Sequence, residues 1–399
     1  MFTKKQIERY ADVLLWGLKI SRKGRIKKNE TILIRYHLPA LDLAEALYDR
    51  LLDMGLNPLQ RAESTPVMEK SFFRRSNPKQ LIFQPPGDRE LYENLHGSIF
   101  LHAPESITHL SGIDPGKIGK FAVSRKCFRD ILTRREETGQ FSWTLCTYPT
   151  RALARHAKLS RKAYTQQIIS ACFLNKKDPL AKWNQIFKDA GRIKRWLSRM
   201  DVKHYHIQSA GTDLEVTPGE QRRWIGVSGH NIPSFELFVS PDWRGTRGIY
   251  YADQPSFRSG NYVKGVRLTF TKGRVTAISA EKGADFVRKQ LAMDKGASRL
   301  GEFSLTDRRF SKINRFMANT LFDENYGGAQ GNCHVALGAS YSDTFTGEPA
   351  GLTGKLKEKL GFNDSALHWD LVNTEKKRVV AHLKNGKRMT VYEDGKFNY

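Results

Sequence analysis

The first 200 residues alternate between short apolar runs and longer stretches with apolar side chains at helical spacing. The short runs at 30–36, 97–103 and 141–149 predict β-strands. Residues 40–55 carry apolar side chains every three or four positions and end at Gly55, which predicts a helix. This alternation predicts an α/β N-terminal domain with a mainly parallel sheet.

After about residue 200 the pattern changes to strand-length runs separated by turn-forming pairs. A Lys-Gly, an Asn-Gly and an Asp-Gly pair, near residues 272, 385 and 394, each predict a hairpin. The second half is therefore predicted to be an α+β C-terminal catalytic domain rich in antiparallel strands. These changes predict two domains, 1–200 and 201–399.

The composition is typical of a globular chain, with 39% hydrophobic and 27% charged residues among 399. An uncharged apolar stretch of the roughly 20 residues needed to cross a bilayer is absent from the sequence. We therefore expect a cytoplasmic protein with no membrane partner. The four cysteines are scattered without a CxxC pair, which argues against a disulfide framework or a thiolate metal site.

The net charge of +25 is concentrated in the first half of the chain. Residues 151–200 alone hold 13 basic and two acidic side chains, a balance that attracts nucleic acid or anionic lipid. The aromatic residues of this stretch do not form a stacking motif, and zinc-finger, RNP and recognition-helix signatures are lacking. Nucleic acid is thus a possible partner that the sequence does not favour, and solvated helix faces are the simpler interpretation.

Candidate metal ligands are dispersed through the second half. They are Glu236, Glu302, His334, Tyr341, His368 and Asp370. In an extended strand His368 and Asp370 would project to the same side, because side chains two positions apart share a face. Each segment alone also fits a surface strand or, for His334, a buried core histidine. Their occurrence together favours a metal site, and carboxylates with imidazoles suit zinc, cobalt or manganese.

Four segments of the second half resemble the motifs of a known family, in the same order and at similar separations. They are "NIPSFELFVSPD", "LGEFSL", "NTLFDEN…CHVALGASY" and "NDSALHWD". They resemble the aminopeptidase T / aminopeptidase S (thermophilic aminopeptidase) family of dinuclear metallopeptidases, and the resemblance spans nearly the whole chain. It implies two divalent metal ions per chain, with Tyr341 as a ligand or hydroxyl donor. The remaining implied ligands are Glu236, Glu302, His334, His368 and Asp370.

The resemblance also implies an activity, the hydrolysis of N-terminal residues from peptides through a metal-bound hydroxide. Glu302 would carry the proton to the leaving amine, and Tyr341 would stabilise the oxyanion. The implied partners are peptides with a free N-terminus and a second copy of the chain in a homodimer. Two alternatives stay open: a ring-opening iron dioxygenase type of reaction on the same fold, and a basic nucleic-acid-binding protein with a vestigial metal site. The presence of both Glu236 and Glu302 favours two ions and hydrolysis.

The sequence departs from the family pattern beside two of the proposed ligands. The segment Tyr326–Asn332 is longer than the family usually has, and Phe235 stands where the family usually places an acid or glycine. We expect Tyr326–Asn332 to line the entrance of the active site. Asp323 and Glu324 are interpreted as structural residues or as supports for the ligands.

Overall fold

The computed structural model describes residues 1–399 of the chain. The chain folds into two compact units, the first formed by 1–185 with 227–234 and the second by 186–226 with 235–399. Every candidate ligand belongs to the second unit. No helix of the structure combines the length and the apolar character that a membrane span requires.

The first 200 residues form alternating helices and strands. In chain order these are α1 (Lys4–Ile20), β1 (Thr31–Tyr36), α2 (Leu41–Asp53), β2 (Asn57–Ala62), α3 (Pro66–Arg75), α4 (Pro78–Leu81), α5 (Asp88–Asn94), β3 (Gly97–His102), α6 (Pro115–Ser124), α7 (Lys126–Glu137), β4 (Ser142–Thr147), α8 (Arg151–His156), α9 (Arg161–Ala171) and α10 (Pro179–Ser198).

The remainder of the chain is dominated by strands. In chain order these elements are β5 (Val202–Gln208), β6 (Asp213–Val216), β7 (Ile225–Gly226), β8 (Asn231–Ile232), β9 (Glu236–Val239), β10 (Arg247–Ala252), β11 (Ser256–Arg258), β12 (Asn261–Val263), β13 (Val266–Thr271), β14 (Arg274–Ser279), α11 (Ala284–Leu291), β15 (Leu300–Thr306), α12 (Thr320–Asp323), β16 (Asn332–Gly338), α13 (Gly354–Leu360), β17 (His368–Asn373), β18 (Arg378–Leu383), β19 (Arg388–Glu393) and β20 (Lys396–Phe397). Single-turn 3-10 helices lie at Leu38–Ala40, Trp243–Gly245, Ser342–Thr344 and Pro349–Gly351.

The first unit is built on a parallel sheet in the order β2-β1-β3-β4-β8. In β1 the consecutive residues Ile32, Leu33 and Ile34 are all buried, which is the pattern of a strand covered on both faces. Strands β1, β3 and β4 confirm the three strand predictions of the first half.

Helix α2 confirms the helix predicted for 40–55. Leu43, Leu47 and Leu51, four positions apart, form its buried stripe. The chain leaves the helix at Gly55, which has a φ of +71° that favours glycine. The glycine signal in the sequence therefore marked the end of the helix.

The second unit contains an eight-stranded sheet in the order β14-β13-β10-β6-β5-β18-β19-β20, with antiparallel neighbours. The three predicted hairpins are confirmed as β13–β14, β18–β19 and β19–β20. Lys272 and Gly273 both have positive φ, as do Asp394 and Gly395, which matches the turns that suit twisted hairpins.

A second antiparallel sheet of this unit has the order β17-β16-β15-β9-β7. Every residue of β15 and β16 is buried. The ring of Phe303 of β15 lies 6.0 Å, centroid to centroid, from that of Tyr205 of β5, and the Tyr250 hydroxyl of β10 donates to the Leu371 carbonyl of β17 at 2.7 Å. These contacts join the two sheets around one core. The fold is thus the predicted α/β architecture followed by an antiparallel α+β region.

Candidate metal centre

Five of the six candidate ligands come from four neighbouring strands of the five-stranded sheet. His334 of β16 lies opposite Ser304 of β15, two residues after Glu302. On β17, Asp370 lies opposite Ala336, two residues after His334. Because alternate side chains share a face, the pairing directs these groups to one side of the sheet.

Three of the groups form a compact buried cluster. The ligand atoms of Glu236, Glu302 and His334 lie within 4.8 Å of one another. His334 Nε2 is 3.1 Å from Glu302 Oε1 and 3.3 Å from Glu236 Oε2. The His334 residue is only 1% exposed, so the cluster is closed to bulk solvent on the side of β16.

The strand pair His368 and Asp370 extends this cluster. His368 Nε2 is 3.3 Å from Asp370 Oδ1 and 3.8 Å from Glu302 Oε2. Asp370 Oδ1 is also 3.8 Å from His334 Nε2. The structure therefore brings five predicted ligands together, and Glu302 directs one oxygen toward each imidazole. Their role as ligands stays a prediction.

Tyr341 lies beside this cluster, three residues after the end of β16. Its ring centroid is 4.9 Å from that of His368 and 5.6 Å from that of Phe238, and its backbone N–H donates to Ser240 Oγ. The residue is 38% exposed, the largest exposure among the candidate groups. Tyr341 is thus at the solvent-facing side of the cluster.

The charges of the cluster are strongly coupled. Burial raises the pKa of Glu236 to about 8. Burial alone would lower the pKa of His334, but the hydrogen bond with Glu302 and the charge of Glu236 raise it to about 9. Burial opposes the charged form of Asp370, yet the adjacent His368 lowers its pKa to about 2. Without a cation these shifts favour protonated Glu236 and His334 near neutral pH, and a metal ion bound among the groups would displace those protons.

Glu324 is a further carboxylate at this cluster that the sequence interpretation left as a supporting residue. It follows α12 and is buried, and burial together with the charges of Glu236, Asp370 and Glu302 raises its pKa well above the usual value. One feature of the sequence could have indicated that Glu324 is buried. It lies between the apolar pair Leu321-Phe322 and a buried strand, where an acid needs a compensating partner.

Asn325 connects the same segment to β9. Its Oδ1 accepts from the backbone N–H groups of Phe235 at 2.6 Å and Glu236 at 3.1 Å, and its Nδ2 donates to the Leu321 carbonyl at 2.9 Å. Asn325 therefore fixes the backbone that carries Glu236. The sequence interpretation did not identify this role, because a side-chain acceptor for a distant strand leaves no local pattern.

Two features near the departures from the family pattern have structural roles. Asp323 accepts from the backbone N–H groups of Met317 and Asn319, at 2.7 and 2.9 Å. Phe235 is fully buried, so this side chain is part of the core, and its departure from the family pattern stays a prediction.

The segment Tyr326–Asn332 contacts two other parts of the second unit. Gly327 and Gly328 donate to the Ile313 carbonyl, and Gly331 packs closely against Tyr392. These contacts are with the turn after β15 and the C-terminal hairpin. Its predicted position at the active-site entrance stays a prediction.

Arg258 is a cationic residue that contacts β17 beside the ligand pair His368 and Asp370. Its Nη1 donates to the His368 carbonyl at 2.9 Å, and its guanidinium lies 5.4 Å from the centre of the Trp369 ring. Burial lowers its pKa to about 10, against the attraction of Asp370. The side chain thus supports β17 from the side of β11.

Buried carboxylates and imidazoles that converge from rigid strands are typical of a metal-dependent hydrolase. The chain matches the family model described as thermophilic metalloprotease (M29) over residues 3–397, and it belongs to that family. Nearly the whole chain is therefore accounted for by one family of metallopeptidases.

Relatives of this chain have aminopeptidase names. It is 28% identical to Aminopeptidase T of Thermus aquaticus over 307 residues, covering 72% of this chain and 73% of the relative. It is 27% identical to Aminopeptidase AmpS of Bacillus subtilis over 341 residues, covering 79% and 80%. It is 25% identical to Aminopeptidase 2 of Geobacillus stearothermophilus over 422 residues, covering 99% and 98%.

The fold is also that of a solved structure, wild-type AmpT from Thermus thermophilus. The TM-score is 0.80 at 20% sequence identity, and the match covers 100% of both chains. The protein is a metallo-aminopeptidase, as the family and its relatives show. Neither the iron dioxygenase nor the nucleic-acid-binding alternative finds support in these comparisons.

Proposed function

We propose that this metallo-aminopeptidase holds two divalent ions in the cluster of the five-stranded sheet. The proposed ligands are Glu236, Glu302, His334, His368 and Asp370, with Glu324 as a sixth candidate. The observation that carries the proposal is the placement of Glu302, whose Oε1 is 3.1 Å from His334 Nε2 while its Oε2 is 3.8 Å from His368 Nε2. A carboxylate between two imidazoles suits a ligand shared by two ions.

The donor set fits zinc, cobalt or manganese, because each accepts imidazole nitrogen together with carboxylate oxygen. The cluster also contains more acidic than imidazole groups, which is unfavourable in a buried site unless cations compensate the charge. Glu236 and Glu324 show this directly, since burial and neighbouring carboxylates raise the pKa of both.

Divalent ions in such a site polarise a carbonyl oxygen and lower the pKa of a coordinated water. The residues of this chain would orient the peptide and transfer protons. Glu302 is the predicted proton carrier to the leaving amine. If both of its oxygens are engaged as ligands, the neighbouring Glu324 is the second candidate for that role.

Tyr341 is proposed to stabilise the developing oxyanion with its hydroxyl. Support comes from its position against His368 and from its greater exposure, which leaves its side chain on the side from which a substrate approaches. A hydroxyl donor placed at the charge that develops in the transition state lowers the barrier to hydrolysis. Replacement by phenylalanine should therefore lower kcat and leave the metal content unchanged.

The proposed substrates are peptides with a free N-terminus, because the family resemblance implies capture of the α-amine. The homodimer and the cytoplasmic location expected from the sequence stay predictions. Acetylation of the N-terminus of a test peptide should abolish its cleavage. Equal cleavage of free and acetylated peptides would contradict an aminopeptidase mode of binding.

The site assignment is tested by metal content and rate measured together. Glu236→Ala and His368→Ala should each lose bound ion and hydrolysis of an aminoacyl-p-nitroanilide. Glu281→Ala is the control, because Glu281 is an exposed acid paired with Lys264 on the surface. Full metal content and full rate in both ligand variants would refute the assignment.

A further inference from the structure

Three histidines lie together on the outer face of the eight-stranded sheet, on different strands from the metal centre. His382 of β18 is directly opposite His204 of β5, and their rings stack with centroids 4.3 Å apart and planes at 21°. The ring of His206 is centred 6.2 Å from that of His382. The intervening Tyr205 and Ala381 are buried, so the three imidazoles share the solvent-facing side.

Carboxylates of the neighbouring strand β6 lie beside two of these histidines. Asp213 Oδ1 is 2.6 Å from His206 Nε2, and Glu215 Oε2 is 3.7 Å from His204 Nε2. The hydrogen bond between Asp213 and His206 Nε2 fixes the tautomer of His206 and leaves its other ring nitrogen as a lone-pair donor. The Glu215 carboxylate is too far from His204 for a hydrogen bond and adds negative charge beside it. The side chains of His204 and His206 are 19% and 25% exposed, so an ion from solvent can reach them.

The charge state of the stacked pair, His204 and His382, suits coordination of a metal ion better than pairing with a carboxylate. Burial lowers the pKa of His204 and of His382, and nearby cationic groups act in the same direction. Glu215 raises the pKa of His204, but its carboxylate is already paired with Arg247 at 2.6 Å. Arg388 of β19 lies opposite His382 and is one of the cationic groups that lower the pKa of His382. Both imidazoles are therefore mainly neutral near pH 7, which is the form that binds a metal ion.

We propose that His204, His206 and His382 form a surface site for a late transition-metal ion, namely Zn²⁺, Ni²⁺ or Cu²⁺. Imidazole nitrogens select these ions over Mg²⁺ and Ca²⁺, which prefer oxygen. Stacked rings direct their nitrogens along parallel planes, so binding requires the rings to rotate about χ2 until the nitrogens converge. The site is separate from the peptidase centre and takes no part in hydrolysis.

Retention of the untagged protein on immobilised Ni²⁺ and Cu²⁺ tests the proposal, because a resin reaches only surface imidazoles. In the metal centre His334 is 1% exposed and cannot contribute, whereas the His368 side chain is 22% exposed, so retention of His368→Ala is measured as well and should equal that of the wild type. The wild-type protein should be retained, and His204→Asn or His382→Asn should elute at a lower imidazole concentration. His156→Asn on α8 is the matched control and should elute like the wild type. Unchanged retention of both sheet variants, or loss of retention in the control, would overturn the proposal.

Equilibrium dialysis against Zn²⁺ gives a second, independent measurement. The double variant His204→Asn/His382→Asn should bind one ion fewer per chain, because two of the three imidazoles proposed to hold the surface ion are removed. Its hydrolysis rate and its thermal unfolding should match the wild type, because these residues are on the outer face of the sheet. A double variant with the full ion count would refute the site. Loss of ions in His368→Ala reports only on the peptidase centre, so the two proposals fail separately.

Discussion

The side chain of Asn325 is predicted to determine both the stability of the second unit and the position of Glu236. Asn325 is fully buried, and its Oδ1 accepts from the N–H groups of Phe235 and Glu236. Substitution Asn325→Ala leaves both N–H groups without that acceptor. An unsatisfied buried donor costs about 1–3 kcal/mol, so the free energy of unfolding should fall by about 2–6 kcal/mol.

The same change should weaken metal binding, because Glu236 begins β9 and its carboxylate lies 3.3 Å from His334 Nε2. Loss of a group that orients a ligand costs about 10- to 100-fold in metal affinity. Urea unfolding followed by circular dichroism measures the first effect, and titration of the chelator-treated protein with Zn²⁺ measures the second. Both should be compared with the wild type under identical conditions.

Asn94→Ala is the matched control for this experiment. Asn94 is exposed, and its Nδ2 donates to the Glu90 carbonyl within α5 at 2.8 Å. A surface substitution of this kind should change the free energy of unfolding by about 0.5 kcal/mol or less. The reasoning is refuted if Asn325→Ala costs less than about 1 kcal/mol and binds Zn²⁺ as tightly as the wild type.

Three further predictions concern the same centre. In chelator-treated protein the pKa values of His334 and His368 are raised from the ordinary 6.5 to about 9. Protonation of the two imidazoles therefore stabilises the fold fully below pH 6.5, and this stabilisation is lost as the pH rises through 9. Glu236, raised from 4.5 to about 8, acts in the same direction, so Tm should fall with rising pH, and a constant Tm would contradict this. Restoring Zn²⁺ at about 100 times its Kd should stabilise the fold by about 2.7 kcal/mol for each ion bound, seen as a rise in Tm that Mg²⁺ does not reproduce. Gly226→Ala should prevent soluble expression or abolish hydrolysis. Gly226 has a φ of +122°, and a Cβ added there would lie 2.1 Å from the Glu236 carbonyl oxygen. A soluble and active Gly226→Ala variant would contradict this prediction.

The features that local periodicity specifies were predictable from the sequence. The helix at 40–55 and the hairpins at the Lys-Gly, Asn-Gly and Asp-Gly pairs are confirmed because their signals lie within a few residues of the feature. The shared direction of His368 and Asp370 follows from the two-residue period of a strand, and both contact the same cluster.

The strand order that joins the centre has no such local signal. Glu236, Glu302 and His334 become neighbours only because β9, β15 and β16 pair side by side. Family resemblance, and not periodicity, connected these segments in the sequence. The return of residues 227–234 to the parallel sheet was also beyond reach, since β8 has only two residues and is too short to show alternation.

Glu324, interpreted from the sequence only as a structural or supporting residue, and Asn325, which was not identified, show what local sequence leaves out. Within "LFDEN" the polar letters indicate a loop, whereas the structure buries Leu321, Phe322 and Glu324 together. A polar residue buried through partners on distant strands gives the same sequence pattern as an exposed one. Its function is visible only when the acceptor and the donors are placed in space.

Both ends of the segment Tyr326–Asn332, which is predicted to be longer than in the family, are fixed independently of its middle. Asn325 anchors one end to β9, while Asn332 donates to the Glu324 and Tyr326 carbonyls and pairs with Thr306 as the first residue of β16. His334 is two positions further along that strand, so its placement depends on the strand pairing and not on the loop length. Deletion of residues from the middle of the loop should therefore preserve metal content, and a loss of bound ion in such a variant would show that the loop itself positions His334.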